Sequence, residues 1–446
     1  IDVMVLPNLN PLKKDRVETT TDLSANGTAN TYMVHAPGTY RFDARVMGNG
    51  DAGVLDGAGF TDYNGSEITS AALSGGVSAR VLWQECVNQI TDVKYDGSSI
   101  EFTTSDYVVP CNAVIALCDG VGRIVWSWQI WFTDELNADD VIVNANTNAT
   151  AVAQGLNRFP LMDRNLGAMC RLDSDATKFP KKREGEITVI QYTDESKTIP
   201  TGKSFTTKVY QHGVASNSYY KPLCYCGMKY QWGRKDPFIG PASYNASNGA
   251  SASMYNGAGS RVYLQTAASS AETGTVAYAV QHPLTFITGV SGSENDWLWS
   301  AHSGDLWSAS EKSAYDPCPY GWQVAPSDVF KNLELVGTPT AADADKYGWG
   351  LTDPEQGTSS LFIGAGRRRY DNSTILNVYN PVPPVRSVAE EAQPWEGLYW
   401  TAGTLSGTKS PAFHFWFEKK TTTGGLENNV PYARANGMSV RCVRVK

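Results

Sequence analysis

No apolar run in this 446-residue chain reaches the roughly 18 to 20 residues needed to cross a bilayer as a helix, and no charged segment followed by an apolar stretch opens it. Because the chain begins at Ile1 rather than Met, the expectation is that a signal peptide, or a lipidated cysteine just upstream, was removed before this numbering starts. Cations are scarce too. The 37 Lys and Arg against 45 Asp and Glu leave a net charge of -8, so the clustered positive charge that grips a phosphate backbone is missing and nucleic acid is excluded as the main partner. Eight cysteines are too few for a disulfide scaffold at this length, and no CxxC pair recurs at zinc-finger spacing. Cys224 and Cys226 form only a CxC, where a mutual disulfide is strained, so they read as two residues with no bond between them.

Catalytic signatures are missing as well. The five histidines, His35, His212, His282, His302 and His414, stand far apart, and none belongs to HExxH. A GxSxG elbow, a Walker glycine loop and a dinucleotide fingerprint are all wanting. Carboxylate pairs of the glycosidase kind are assembled in space and are not legible in a sequence. The chain therefore reads as a binding protein and not an enzyme, with no cofactor required.

What is abundant is Gly, Asn, Ser, Thr, Tyr and Trp, the composition of extended strands and ordered loops. Residues 1–20 are polar with a basic cluster, Lys13, Lys14 and Arg16, and read as an extended arm. From Thr31 to Thr133 strand patterns recur between Gly, Asn and Asp turns: 31–34, 39–42, 80–83, 93–95, 100–103, 113–116 and 124–132. About seven short strands predict a β-sandwich over residues 21–150. In the last of them Ile124, Trp126, Trp128, Ile130 and Phe132 share one face by the period of two, which makes that stripe core. Residues 134–159 read as a connector. Residues 151–446 read as a second, α+β domain with long loops and an insert near 172–220. Helices are expected from Ser327, whose hydroxyl would cap the turn beginning at Asp328, and over Tyr225–Trp232.

Four phrases of the second half carry a family resemblance: Met162-Asp-Arg-Asn-Leu-Gly-Ala168, Tyr230-Gln-Trp-Gly-Arg-Lys-Asp-Pro-Phe238, Asp316-Pro-Cys-Pro-Tyr-Gly-Trp322 and Ser439-Val-Arg-Cys-Val443. In this order they resemble the Fibrobacter succinogenes major paralogous domain of Bacteroidetes surface and fimbrillin-family proteins. In the first half Ala29–Val34, Ala36–Tyr40, Asn112–Ala116 and Ile124–Trp128 resemble the immunoglobulin-like β-sandwich that precedes this module. The chain departs from the family at Gln323-Val-Ala-Pro326 and in its long insert.

The resemblance implies a mostly β, two-domain protein whose second domain is C-type-lectin-like. It implies export to the cell surface, the outer membrane or a fimbrium. The implied role is an adhesin or fimbrial subunit that binds a host or bacterial glycan or protein, or another pilin. The alternative is a surface lipoprotein that captures glycans for nutrient uptake. It also implies that Cys318 and Cys442, in two of the matching phrases, lie close enough for a disulfide. Similar scaffolds host a formylglycine-generating oxidase, for which Cys224 and Cys226 are the only close thiol pair, at another spacing.

Ligand-facing candidates come from side-chain chemistry. Among the loop aromatics of the second domain, Trp299, Trp307 and Trp395 have polar or Gly neighbours and could stack on a sugar or anchor a protein. Arg367, Arg368 and Arg369 offer planar donors to a carboxylate. Glu294, Asp296 and Asp305 supply oxygens for calcium, although their spacing matches no defined calcium loop. Arg16 is a candidate processing site whose cleavage would open a groove for a neighbour's strand.

Overall fold

The computed structural model describes residues 12, 14–50, 60–136, 143–145, 158–170, 182–194, 199–212, 224–241, 254–300, 306–336, 348–354, 358–378, 395–405, 407–417 and 424–445. The fold is mostly β, as the composition led one to expect.

In the first half the strands are β1 (Val17–Asp22), β2 (Thr31–Val34), β3 (Gly38–Asp43), β4 (Ser78–Gln84), β5 (Ile90–Tyr95), β6 (Ser99–Thr104), β7 (Cys111–Cys118) and β8 (Ile124–Phe132). They form two four-stranded sheets, β1-β3-β6-β5 and β2-β8-β7-β4. Alternation puts Phe42 and Phe102 of the first sheet toward Tyr32 and Trp128 of the second. Phe42 lies 4.8 Å from Tyr32 and 5.1 Å from Trp128, ring centre to ring centre. β8 is buried along its whole length, because its other face is covered by the second half. There Ser127 donates to Asp236, Tyr230 donates to Gln129, and the Trp131 indole donates to the Ala168 carbonyl.

The C-terminal end of the expected arm belongs to the fold. Residues 17–22 belong to the first sheet, and Leu12 is buried with its N–H on the Val108 carbonyl. One apolar cluster runs without a break from Tyr32, Phe42 and Trp128 to Trp232, Trp307 and Trp400. The two halves therefore share a core across residue 150.

The second half starts with the pair β9 (Val143–Ala145) and β10 (Arg158–Pro160) and a long hairpin, β11 (Lys182–Tyr192) and β12 (Pro200–His212), within the predicted insert. Next come β13 (Tyr230–Gln231), β14 (Gln265–Ala268), helix α1 (Val276–Gln281) and β15 (Thr285–Thr288). They are followed by β16 (Trp322–Val324), β17 (Glu334–Leu335), β18 (Gly348–Asp353), β19 (Thr358–Ile363), β20 (Ala365–Arg368) and β21 (Ile375–Val378). The chain closes with β22 (Trp395–Trp400), β23 (Lys409–Phe417), β24 (Gly424–Ala433), β25 (Gly437–Met438) and β26 (Cys442–Arg444). The largest sheet runs β13-β25-β20-β22-β23-β24, with β21 paired to β20. Leu398 and Trp400 of β22 enter the shared core, while Tyr399, with Phe413 and Phe415 of β23, enters a second cluster with Phe330 and Phe362.

Both expected helices are corrected. Ser327–Phe330 is a four-residue 3-10 turn with Pro326 in the capping position, so the Ser327 hydroxyl caps nothing. Of the second only Tyr225 is helical, together with Cys224 before it. Gly227 takes a left-handed φ of 72°, and Lys229 then exchanges both backbone bonds with Phe238, which turns the chain into β13. The helix α1 was not foreseen; Thr275 caps it by accepting from the Tyr278 N–H. Among the described residues no helix is long and apolar enough to cross a membrane.

Candidate ligand-binding site

The outer part of the large sheet gathers polar and aromatic side chains from four strands. Register places Glu396 opposite Trp416 and Leu398 opposite His414, and His414 opposite Glu427, so Glu396, His414 and Trp416 share a face. Arg367 of β20 and Tyr432 of β24 join them. The Arg367 guanidinium stands 3.9 Å from the Glu396 carboxylate and 5.3 Å from the Tyr432 ring centre. His414 Nε2 is 3.5 Å from Glu396 Oε1, and the imidazole lies 5.0 Å from the Trp416 ring and edge-on to Tyr432 at 6.1 Å. The Trp416 indole lies across Gly425 of β24, where an added Cβ would come within 2.3 Å of the ring.

The cluster is half-buried, with side-chain exposures of 23% for Arg367, 12% for His414 and 9% for Glu396. Burial raises the Tyr432 phenol above its ordinary value; the Glu396 charge adds to this and Arg367 opposes it. Neither Arg367 Nε nor His414 Nε2 has a hydrogen-bond partner among the described residues. Two flat rings with polar edges, a planar cation, an imidazole and a carboxylate on one face can stack on a sugar ring and bond its hydroxyls, or hold a carboxylate.

Strand alternation separates the three arginines. Arg368 is buried and donates to the Ile239 carbonyl at 2.8 and 3.1 Å and to the Ser373 carbonyl at 2.7 Å, so it is a structural cation and unable to meet a ligand. Arg369 is exposed and pairs with Asp371 at 2.9 Å.

Trp307 is likewise corrected. It is fully buried, donates to the Tyr315 carbonyl at 3.0 Å and packs on Trp232, because its polar neighbours in sequence do not surround it in space. Trp299 is half-buried with its ring against Gly292. Trp395 lies in β22 with its backbone paired to Phe417; its side chain lies outside the described residues.

Two of the three proposed calcium oxygens lie among the described residues. Asp296 is fully buried and faces Arg434 at 3.6 Å, Glu294 is exposed and accepts from Thr408 at 3.2 Å, and Asp305 lies outside the described residues. No group of three or more His, Cys, Asp or Glu able to hold a metal occurs among the described residues. Arg16 is half-buried and pairs with Asp106 at 2.5 Å, which ties the candidate processing site to the first half.

Cys318 and Cys442 form a disulfide with Cα atoms 6.1 Å apart. Cys224 and Cys226 are separate, buried thiols, and burial pushes Cys226 up to about 12 and Cys224 well above the ordinary range. Neither is poised as the thiolate a redox reaction needs.

Sequence reasoning did not single out Glu396, His414, Trp416 or Tyr432. The available signal was the alternation in Phe413-His-Phe-Trp416, which sends two rings inward and His414 and Trp416 to the opposite face.

Compared with known proteins, the chain matches no family model, no curated protein and no solved structure.

Proposed function

We propose that this chain is an exported cell-surface adhesin or fimbrial subunit of the Bacteroidetes type, a binding protein and not an enzyme, whose second half engages a glycan or a protein. The observation that carries the reading is the half-open cluster of Arg367, Glu396, His414, Trp416 and Tyr432 on one sheet face. The ordered phrases of the second half support a C-type-lectin-like module. In the first half the order β1-β3-β6-β5 corresponds to strands A, B, E and D of the immunoglobulin fold, and β8-β7-β4 to G, F and C. A buried tryptophan on the C-like strand, Trp83, fits that assignment, whereas β1 runs parallel to β3 and departs from it. The surface-lipoprotein reading, glycan capture for nutrient uptake, is favoured by the paired rings, which suit a sugar face.

The test is binding of the purified chain to a glycan array and to immobilised matrix proteins, with and without calcium. Trp416→Ala is expected to weaken binding about tenfold or more while Trp299→Ala leaves it within about twofold. Binding to glycans alone favours nutrient capture, and binding to matrix protein favours adhesion. Silence on both surfaces, or binding indifferent to Trp416→Ala and Arg367→Ala, overturns the site.

A further inference from the structure

Two cysteines of the first half lie opposite each other at the end of a strand pair. β4 and β7 run antiparallel with Trp83 opposite Val114 and Gln84 opposite Ala113. The register continues beyond β4, because the Glu85 N–H donates to the Asn112 carbonyl at 2.9 Å. The next opposed residues are Cys86 and Cys111. Glu85 and Asn112 share that one backbone bond, the Asn112 N–H going to the Glu85 carboxylate at 2.8 Å, and the register carried one step further sets the cysteines at a non-hydrogen-bonded position, where Cα atoms ordinarily lie about 4.5 Å apart and side chains are closest. That spacing falls inside the range of about 4.4 to 6.8 Å that a disulfide spans. Both are free thiols in this structure, and the Cys111 thiol is raised first by burial and then by the neighbouring Cys86 side chain. Both are buried, Cys86 at 3% and Cys111 at 0% exposure. The chain already holds the Cys318–Cys442 disulfide, which marks it as one that matures where such bonds persist.

We propose that Cys86 and Cys111 close into a second disulfide in the mature protein. The bond would enclose β5 and β6, which leave the second sheet after Cys86 and return to it at Cys111. Cys86 follows β4 and Cys111 opens β7, both of the second sheet, so the bond would tie the two ends of that excursion to each other. The oxidant is an external disulfide, oxidised glutathione or a dithiol oxidase. One thiolate attacks it to give a mixed disulfide and releases one thiol; the second thiolate displaces the remaining half as a second thiol. The two cysteines lose two protons, and their two electrons reduce the oxidant. The reaction belongs to folding, before the sheets close, because burial raises the Cys111 thiol well above its ordinary value and disfavours the thiolate afterwards. Cys170 and Cys224 are the competing partners, since Cys224 has Cys170 and Cys86 among its electrostatic neighbours.

The experiment refolds the full reduced chain in a glutathione redox buffer, blocks free thiols by alkylation and maps the peptides without reduction. The expected result is a Cys86–Cys111 linked peptide, lighter by two hydrogens than its two reduced parts. Recovery of both cysteines alkylated overturns the proposal, and so does either one linked to Cys170 or Cys224. As a second measurement, the Cys318→Ala/Cys442→Ala chain keeps six of the eight cysteines (8 − 2 = 6). Titrated in denaturant after the same refolding, it should show two thiols fewer than its fully reduced form, and an undiminished count overturns the proposal.

Discussion

The two halves solve the same problem by different means. In the first, strands of four to nine residues pair closely, and the space between the sheets is filled by rings and aliphatics such as Tyr32, Phe42, Phe102 and Trp128. In the second, strands of two to thirteen residues are joined by long connections, and buried basic side chains donate to carbonyls of strand, helix and loop. Arg234 donates to the carbonyls of Thr285, Ala279 and His282, and Arg441 to those of Met162 and Leu361. Lys229 donates to Gly366, and Arg164 to Glu135. A long side chain with several donors can satisfy a buried loop that no neighbouring strand reaches. Buried basic side chains in the second half therefore add to backbone pairing.

The contrast can be broken by substitutions that keep volume. Arg234→Met retains length but strands several buried carbonyls, and should cost about 3 to 5 kcal/mol in denaturant unfolding. Ile130→Leu in the first half also keeps volume and should cost less than about 1.5 kcal/mol. Equal costs would end the comparison. Next in size is Cys442→Ser, which opens a bridge between residues 124 apart and should cost about 2 to 5 kcal/mol, read as a lower unfolding midpoint in the variant than in the parent chain.

A pH measurement sharpens the same point. Burial lowers Lys229 from 10.5 to about 7. Between those values the unfolded chain holds a proton that the folded chain has shed, so this residue makes stability rise with pH from about 7 upward, by at most about 1.4 kcal/mol per unit. Below that window the contribution to the slope vanishes. Lys229→Met should remove it, and identical slopes for parent and variant between pH 7 and 9 would refute the assignment. The smallest effect belongs to Arg369→Ala, an exposed pair worth less than about 1 kcal/mol, against a much larger loss for its buried neighbour in Arg368→Ala.

Legibility followed locality. The strands expected at 31–34, 39–42, 80–83 and 124–132 lie in β2, β3, β4 and β8, because alternation and turn residues are written within each segment. The candidate site was less legible. Arg367 was found through its chemistry, but Glu396, His414 and Tyr432 come from strands whose adjacency depends on a seven-stranded sheet. Trp307 looked ligand-facing because its neighbours in sequence are polar, and Arg368 because its guanidinium offers planar donors, yet both are enclosed by residues distant in the chain.

By itself the sequence determined the class of structure, the strands of the first half and the phrases that became the polar framework of the second, all of them carried by residue type and short-range period. Tertiary structure alone decided which aromatics are core, which of three adjacent arginines reaches the surface, and that the two halves share one core through β8. Those outcomes depend on what lies across the strand, and a chain read in order does not contain that neighbour.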